Sequence, residues 1–131
     1  MIAKAESKFV RLSPPKVRQV MDLIRGKDVA AALGILFHLN KRPKEHLIKI
    51  LKSAIANAKH KGFNAEQLYI SKITCDVGPS WKRFKAAAFG RAAPILKRTS
   101  HISIELDLSA EKGGSRKAPK TKQEAGKGEN K

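Results

Sequence analysis

Between Val77 and Ile104 the sequence holds no aspartate and no glutamate, although acidic residues occur on both sides of that gap. Inside it lies GPSWKRFKAAAFGRAAPILKRTSHI, Gly78 to Ile102, with six Lys or Arg residues, two Phe and one Trp. Such a segment cannot bury itself as a core, because its cations have no carboxylates to pair with. It requires a negatively charged partner, and nucleic acid is the commonest one.

Other absences narrow the field. Cys75 is the one cysteine, which excludes an internal disulfide and leaves a zinc site without thiol partners. No run has the length and apolarity of a transmembrane helix, so no membrane partner is expected. The opening MIAKAESKFV lacks the apolar core of a signal peptide, and a soluble chain in a reducing compartment is the plain reading. No GxSxG, HExxH, P-loop or GxGxxG occurs. His38, His46, His60 and His101 are dispersed. The expectation is no enzyme, no cofactor and no metal.

What is present is charge. In 131 residues, 28 Lys and Arg stand against 11 Asp and Glu, a net +17 with a pI near 10.4. Charge of this size says nothing of fold, but it points to a polyanionic partner. From Ser109 on there are seven Lys or Arg and three Glu, so +13 of the +17 belongs to residues 1–108. That final stretch has no aliphatic residue larger than alanine and cannot offset chain entropy by burial. Residues 109–131 are therefore expected to be a disordered, lysine-rich tail on one domain, 1–108.

The spacing of apolar residues outlines that domain. Residues 2–12 alternate as a strand, with Lys4, Glu6 and Lys8 on one side and Ala3, Ala5 and Phe9 on the other. Ser13 and Pro14 start a helix carrying Val17, Val20, Met21 and Ile24, which Gly26 stops. Asp28 opens a second, with Val29, Leu33, Leu36 and Phe37 sharing a face. Pro43 opens the longest, to about His60, with Leu47, Ile50, Leu51, Ala54, Ile55 and Ala58 inward and Lys44, Lys49, Lys52, Lys59 and Lys61 as its solvated side. Leu68 to Val77 and Ser100 to Leu108 read as strands. The alternation of the first slips between Ile70 and Ile73, as at a bulge. The acid-free segment joins them as a long arm over residues 78–98. With roughly eight residues a side it would project about 25 Å and need a partner to be ordered.

Each candidate contact has a bland counterpart. Arg11, Lys16, Arg18 and Arg25 cluster near the ends of the first helix, as surface charge or as phosphate contacts. Trp81 and Phe84 either stack on bases or cap the core at the arm's root, whereas Phe89 lies too near the tip to do the latter. Asp76, beside the arm, is expected to form a structural pair, Cys75 to be a small strand residue, and His101 to be a surface or RNA-contacting side chain. Basic and aromatic residues interleaved on an extended segment suit RNA, which offers phosphates and unstacked bases. One rival is a DNA-binding architectural protein with a basic β-arm, but such arms carry a proline wedge at the tip, and Pro94 is off it. An enzyme acting on RNA lacks its acid–base or metal set.

Three motifs, SPPKVRQVMDLIRGKDVAAALGIL (Ser13–Leu36), LKSAIANAKH (Leu51–His60) and the arm with its TSHI end, resemble bacterial large-subunit ribosomal protein twenty-two. The resemblance runs in order over residues 2–108. It implies an α+β fold, three helices on a small three-stranded antiparallel sheet with a long protruding β-hairpin. It implies a cytoplasmic, non-catalytic protein, monomeric within the large ribosomal subunit beside other ribosomal proteins. Its hairpin would thread through 23S rRNA, bridge several rRNA domains and line the exit tunnel traversed by the nascent polypeptide. Carried over, Trp81, Lys82 and Arg83 fall on a segment linked to macrolide susceptibility, and Phe89, Gly90 and Arg91 on the tip. Lys85 belongs to the outgoing strand; Lys97, Arg98, Thr99 and His101 would meet RNA on the returning one. Where family tips commonly read PRAxGRA, Ala86, Ala87, Ala88 and Phe89 stand here, so the tip is less cationic.

Overall fold

Proline suits a helix's first turn, since its φ is preset and its missing N–H is not needed there. The computed structural model describes residues 1–109 and starts the first helix accordingly, at Pro14–Ile24 (α1). Ser13 precedes it in extended conformation, but its hydroxyl makes no capping bond. Its carbonyl instead accepts the amides of Lys16 and Val17 at 3.2 and 3.3 Å. Helices α2 (Val29–His38) and α3 (Lys44–His60) follow.

Five strands complete the described residues: β1 (Ala3–Val10), β2 (Leu68–Val77), β3 (Trp81–Ala86), β4 (Ala92–Lys97) and β5 (Ser100–Leu108). Three form an antiparallel sheet in the order β1-β5-β2, and β3 pairs with β4 as a separate ribbon. This is the α+β architecture that the sequence motifs imply. The last strand lies in the middle, where Ile104 stands opposite Ala5 on one side and Ile73 on the other. Ile102, Ile104 and Leu106 are wholly buried, together with Val17, Ile24, Leu36, Leu47 and Leu51 from the helices. Helices therefore cover one sheet face, and the alternate residues His101, Ser103 and Glu105 occupy the other.

Two bulges correct a simple alternation. In β2 the register passes from Ile70–Leu106 to Lys72–Glu105, so Ser71 is the extra residue and Ile70, Ile73 and Cys75 all face inward. The slip visible in the sequence is this bulge. In β1 the register shifts between Ser7 and Val10. Alternation alone predicts Phe9 on the inner side with Ala3 and Ala5, but Phe9 is 62% exposed and Val10 takes the buried place. Phe9 sits at φ 58°, a left-handed backbone that non-glycine residues rarely hold. Phe37 is a second reversal. The buried stripe of α2 is Val29, Ala32 and Leu36, and Phe37, one residue beyond it, is exposed.

Both sheet edges are tied down by side chains. Arg18 on α1 and Arg25 just after its last residue donate to the β2 carbonyls of Cys75 (3.0 Å) and Ile73 (2.9 Å). The Ile70 amide donates to Lys27 O at 3.0 Å. Asn57 and Lys61 at the end of α3 donate to the carbonyls of Lys4 and Ile2 at 2.9 and 2.6 Å. An edge strand served in this way is a poor template for another chain. Lys61 is thus not simply part of a solvated face.

The arm's strands have six residues each rather than eight, a reach of about 20 Å. They are paired from Trp81–Lys97 to Ala86–Ala92, and every residue of both strands is exposed. Except for Ser109, the tail expected over residues 109–131 lies outside the described residues.

Truncating Ile104 to Ala should cost about 2–5 kcal/mol in urea denaturation, the usual loss for a buried aliphatic in mid-core. Phe37→Ala should change stability by no more than about 0.5 kcal/mol. Equal losses at the two positions would contradict this assignment of α2's faces.

Candidate nucleic-acid interface

The arm begins where the sheet's last registered pair, Val77–Ser100, gives way to Gly78 and Thr99. The Gly78 amide donates to Thr99 O at 2.9 Å, and the Thr99 hydroxyl donates back to Pro79 O at 2.6 Å. Thr99 is 2% exposed. A Cβ on Gly78 would run into the Thr99 hydroxyl and lie 3.3 Å from the His101 ring. His101 is committed too. Its Nδ1 accepts the Phe9 amide at 3.0 Å, and its ring meets Phe9 edge-on with centroids 4.8 Å apart. The strained Phe9 backbone is held at this point, which links β1 to the arm's root.

Alternation then sorts the ribbon's side chains. Trp81, Arg83 and Lys85 share a face with Lys97, Ile95 and Ala93, while Lys82, Phe84 and Ala86 share the other with Leu96, Pro94 and Ala92. One face is cationic with a tryptophan at its root; the other is chiefly apolar with a single lysine. Neither Trp81 (55% exposed) nor Phe84 (69%) caps the core. The tip turns through Ala88–Gly90, closed by the Ala87 amide donating to Arg91 O at 2.8 Å. Phe89 and Gly90 both take positive φ, 58° and 68°, and Phe89 is 99% exposed.

At the arm's root is a cleft of about 570 Å³ lined by Arg11, Ser13, Lys16, Trp81, Arg83, Leu96, Lys97 and Arg98. The Arg11 guanidinium lies 5.0 Å from the Trp81 ring centroid, over its face. Five cations thus converge from the β1–α1 turn, α1, the two arm strands and the residue after β4, and no carboxylate lines the cleft. None of the five is in an ion pair within the described residues. This grouping, drawn from positions 11 to 98, has no signature in local sequence.

The remaining candidate positions are elsewhere. Lys82 and Lys85 lie along the ribbon and Arg91 beyond its tip. Arg18 and Arg25 are engaged at the β2 edge, Arg25 also with Asp22 at 3.1 Å. Asp76 stands across from His101 and forms no ion pair among the described residues, so it is not the structural partner its position suggests. Cys75 is buried, and that burial pushes its thiol above the usual range, opposed only in part by Ser100 and Arg18. It is a packing residue and a poor nucleophile. On the open sheet face Lys4 and Glu6 pair at 2.6 Å; each holds the other charged, raising the lysine and lowering the glutamate.

A profile for ribosomal protein L22p/L17e matches residues 5–107. The chain belongs to this family. Its role is accordingly structural, as a constituent of the large ribosomal subunit, and not enzymatic. The large ribosomal subunit protein uL22 of Halothermothrix orenii is 52% identical over 112 residues, spanning 85% of this chain and 99% of that protein. Its counterparts in Mesoplasma florum and a Sulfurihydrogenibium species are each 50% identical; both alignments span 79% of this chain, and 94% and 90% of those proteins. The family resemblance carried by the three motifs is borne out. No described helix is long and apolar enough to cross a membrane.

Replacing Thr99 by Val keeps the shape and leaves the Pro79 carbonyl without its donor, at a cost of about 1–3 kcal/mol. Thermal unfolding should show that loss, and amide exchange should show it concentrated at Gly78; unchanged protection there would remove Thr99 from the junction. Cys75 should resist alkylation at neutral pH in the folded chain and react readily in urea. Comparable rates in both conditions would mean that the thiol is not buried.

Proposed function

We propose that this family member binds 23S rRNA through the arm and the cleft at its root, joins several rRNA domains during assembly, and lines the polypeptide exit tunnel with the hairpin. The observation that carries this reading is the five-cation cleft without a carboxylate, continuous with the cationic face of the ribbon. Phosphates that replace counterions there release those ions, which favours binding at low salt whatever the sequence. Arg11, Lys16, Lys82, Arg83, Lys85, Arg91, Lys97 and Arg98 are the contact residues proposed. Arg18 and Arg25 add positive potential around α1 while their hydrogen bonds serve the sheet edge. Thr99 acts by setting the arm's root, and His101, with Nδ1 occupied, offers only Nε2 to RNA.

Acid placement gives the interface a direction. Glu6, Asp76 and His101 line one recess on the open sheet face, Glu105 lies opposite Lys4, and Asp107 pairs with the N-terminal amine at 2.7 Å. RNA would approach the arm and cleft, leaving this mixed face to neighbouring ribosomal proteins, with the chain a monomer. Nascent peptide would pass the tip, where Phe89, Gly90 and Arg91 are exposed. Pro94 pairs with Phe84 in mid-ribbon, away from the tip where a DNA wedge would need it.

Co-sedimentation from cells at low salt should place the chain with the large ribosomal subunit, and predominant recovery with duplex DNA would overturn the proposal. With isolated 23S rRNA, Lys97→Gln should lower the slope of log affinity against log salt by about one, as expected for a lost phosphate contact. Deleting Trp81–Arg83 should alter erythromycin susceptibility in subunits that still assemble; an unchanged drug response would refute the tunnel assignment.

A further inference from the structure

The cleft at the arm's root contains more than phosphate binding requires. Lysines and arginines alone would hold a backbone, yet this one also includes the chain's single tryptophan and Leu96. Trp81 is 55% exposed and no part of the core, so more than half of its surface stays open within the chain. Arg11 lies over its ring, a cation–π contact that ties the indole to the cleft wall. Ser13, at the cleft's edge, uses its carbonyl for α1 while its hydroxyl makes no capping bond. The volume, about 570 Å³, is in the range of about 300–1,000 Å³ usual for clefts that take a small ligand.

We propose that this cleft is a seat for one unstacked RNA nucleotide. Its base stacks on the indole of Trp81 beside Arg11, and its phosphate lies among Lys16, Lys97 and Arg98. The Ser13 hydroxyl meets the sugar or the base edge. An A-form duplex presents phosphates but no free base face, so only a single-stranded loop or bulge can satisfy both halves of the cleft. The proposal rests on the RNA-binding reading above and narrows it to one kind of RNA element at one place.

Because Trp81 is the only tryptophan, intrinsic fluorescence of the full chain reports on the site directly. Two probes separate base from backbone: an adenylate oligomer of about ten nucleotides and a ribose-phosphate oligomer of the same length without bases. The first should quench Trp81 saturably; the second should bind in a salt-dependent way without quenching. Trp81→Ala should weaken the adenylate oligomer about ten-fold and leave the abasic one unchanged, and Trp81→Phe should restore most of the loss. Trp81 is exposed, so its removal leaves the fold intact, which circular dichroism can verify. Equal affinity of the two probes, or no effect of Trp81→Ala, overturns the nucleotide seat. Filter binding of 23S rRNA to the same protein distinguishes the levels. Binding of rRNA with Trp81 unquenched refutes the seat alone, whereas no binding of rRNA refutes both it and the wider reading.

Discussion

Everything the arm presents depends on the junction at Gly78 and Thr99. There two strands leave a packed sheet and continue with no layer on either side. A two-stranded ribbon is marginal in water when it stands alone. This one begins from a pair already fixed by Ile73, Cys75, Ile102 and Ile104 in the core. Because Gly78 has no side chain, the Thr99 hydroxyl can occupy its space and hold Pro79. His101 closes the same point from β5 by accepting the Phe9 amide. The core's order is thereby passed along the chain to a segment that could not generate it.

The junction also separates two electrostatic regimes. Below it, the open sheet face balances its charges: Lys4 with Glu6, the N-terminal amine with Asp107, and Glu105 near Lys4 and Lys72. Above it there is no acid at all, and five cations line one cleft. Exposed pairs like Lys4–Glu6 add little stability, so the apolar core must carry this excess of positive charge until an anion arrives. A single sheet buried by three helices suits that task, since hydrophobic burial does not weaken with charge.

Much of this was legible in the residues, and what was not has physical causes. The bounds of β2 and β5, the three helices and the β2 bulge follow from local periodicity, because each is decided by which side chains must bury. Phe9 misleads because a bulge with positive φ moves one residue across the strand, and no local pattern marks it. Phe37 misleads because the buried stripe of α2 runs through Val29, Ala32 and Leu36, and the next residue along the chain already points about 100° away from it. Arg18 and Arg25 were visible as charges, but their hydrogen bonds to β2 depend on a tertiary contact between distant segments. The cleft was hidden for the same reason: Arg11 and Arg98 come together only because β1 and β5 are neighbours.

Register gives the junction its last consequence. A slip of one residue between β3 and β4 would carry Arg83 and Lys85 away from the face they share with Lys97 and mix the apolar side chains with them. Nothing within the ribbon forbids that slip strongly, since both faces are uncovered and alanines occupy its outer pairs. The constraint comes from the ends. Thr99 and Gly78 fix the root, and the turn through Phe89 and Gly90 allows only a backbone with two successive positive φ angles at the tip. Glycine adopts that geometry freely, whereas phenylalanine holds it at a cost of about 1–3 kcal/mol. That strain sits at the most exposed residue of the arm, where no packing against the body relieves it. The acid-free segment thus carries a ribbon with two distinct faces, its register set at the root and at the tip.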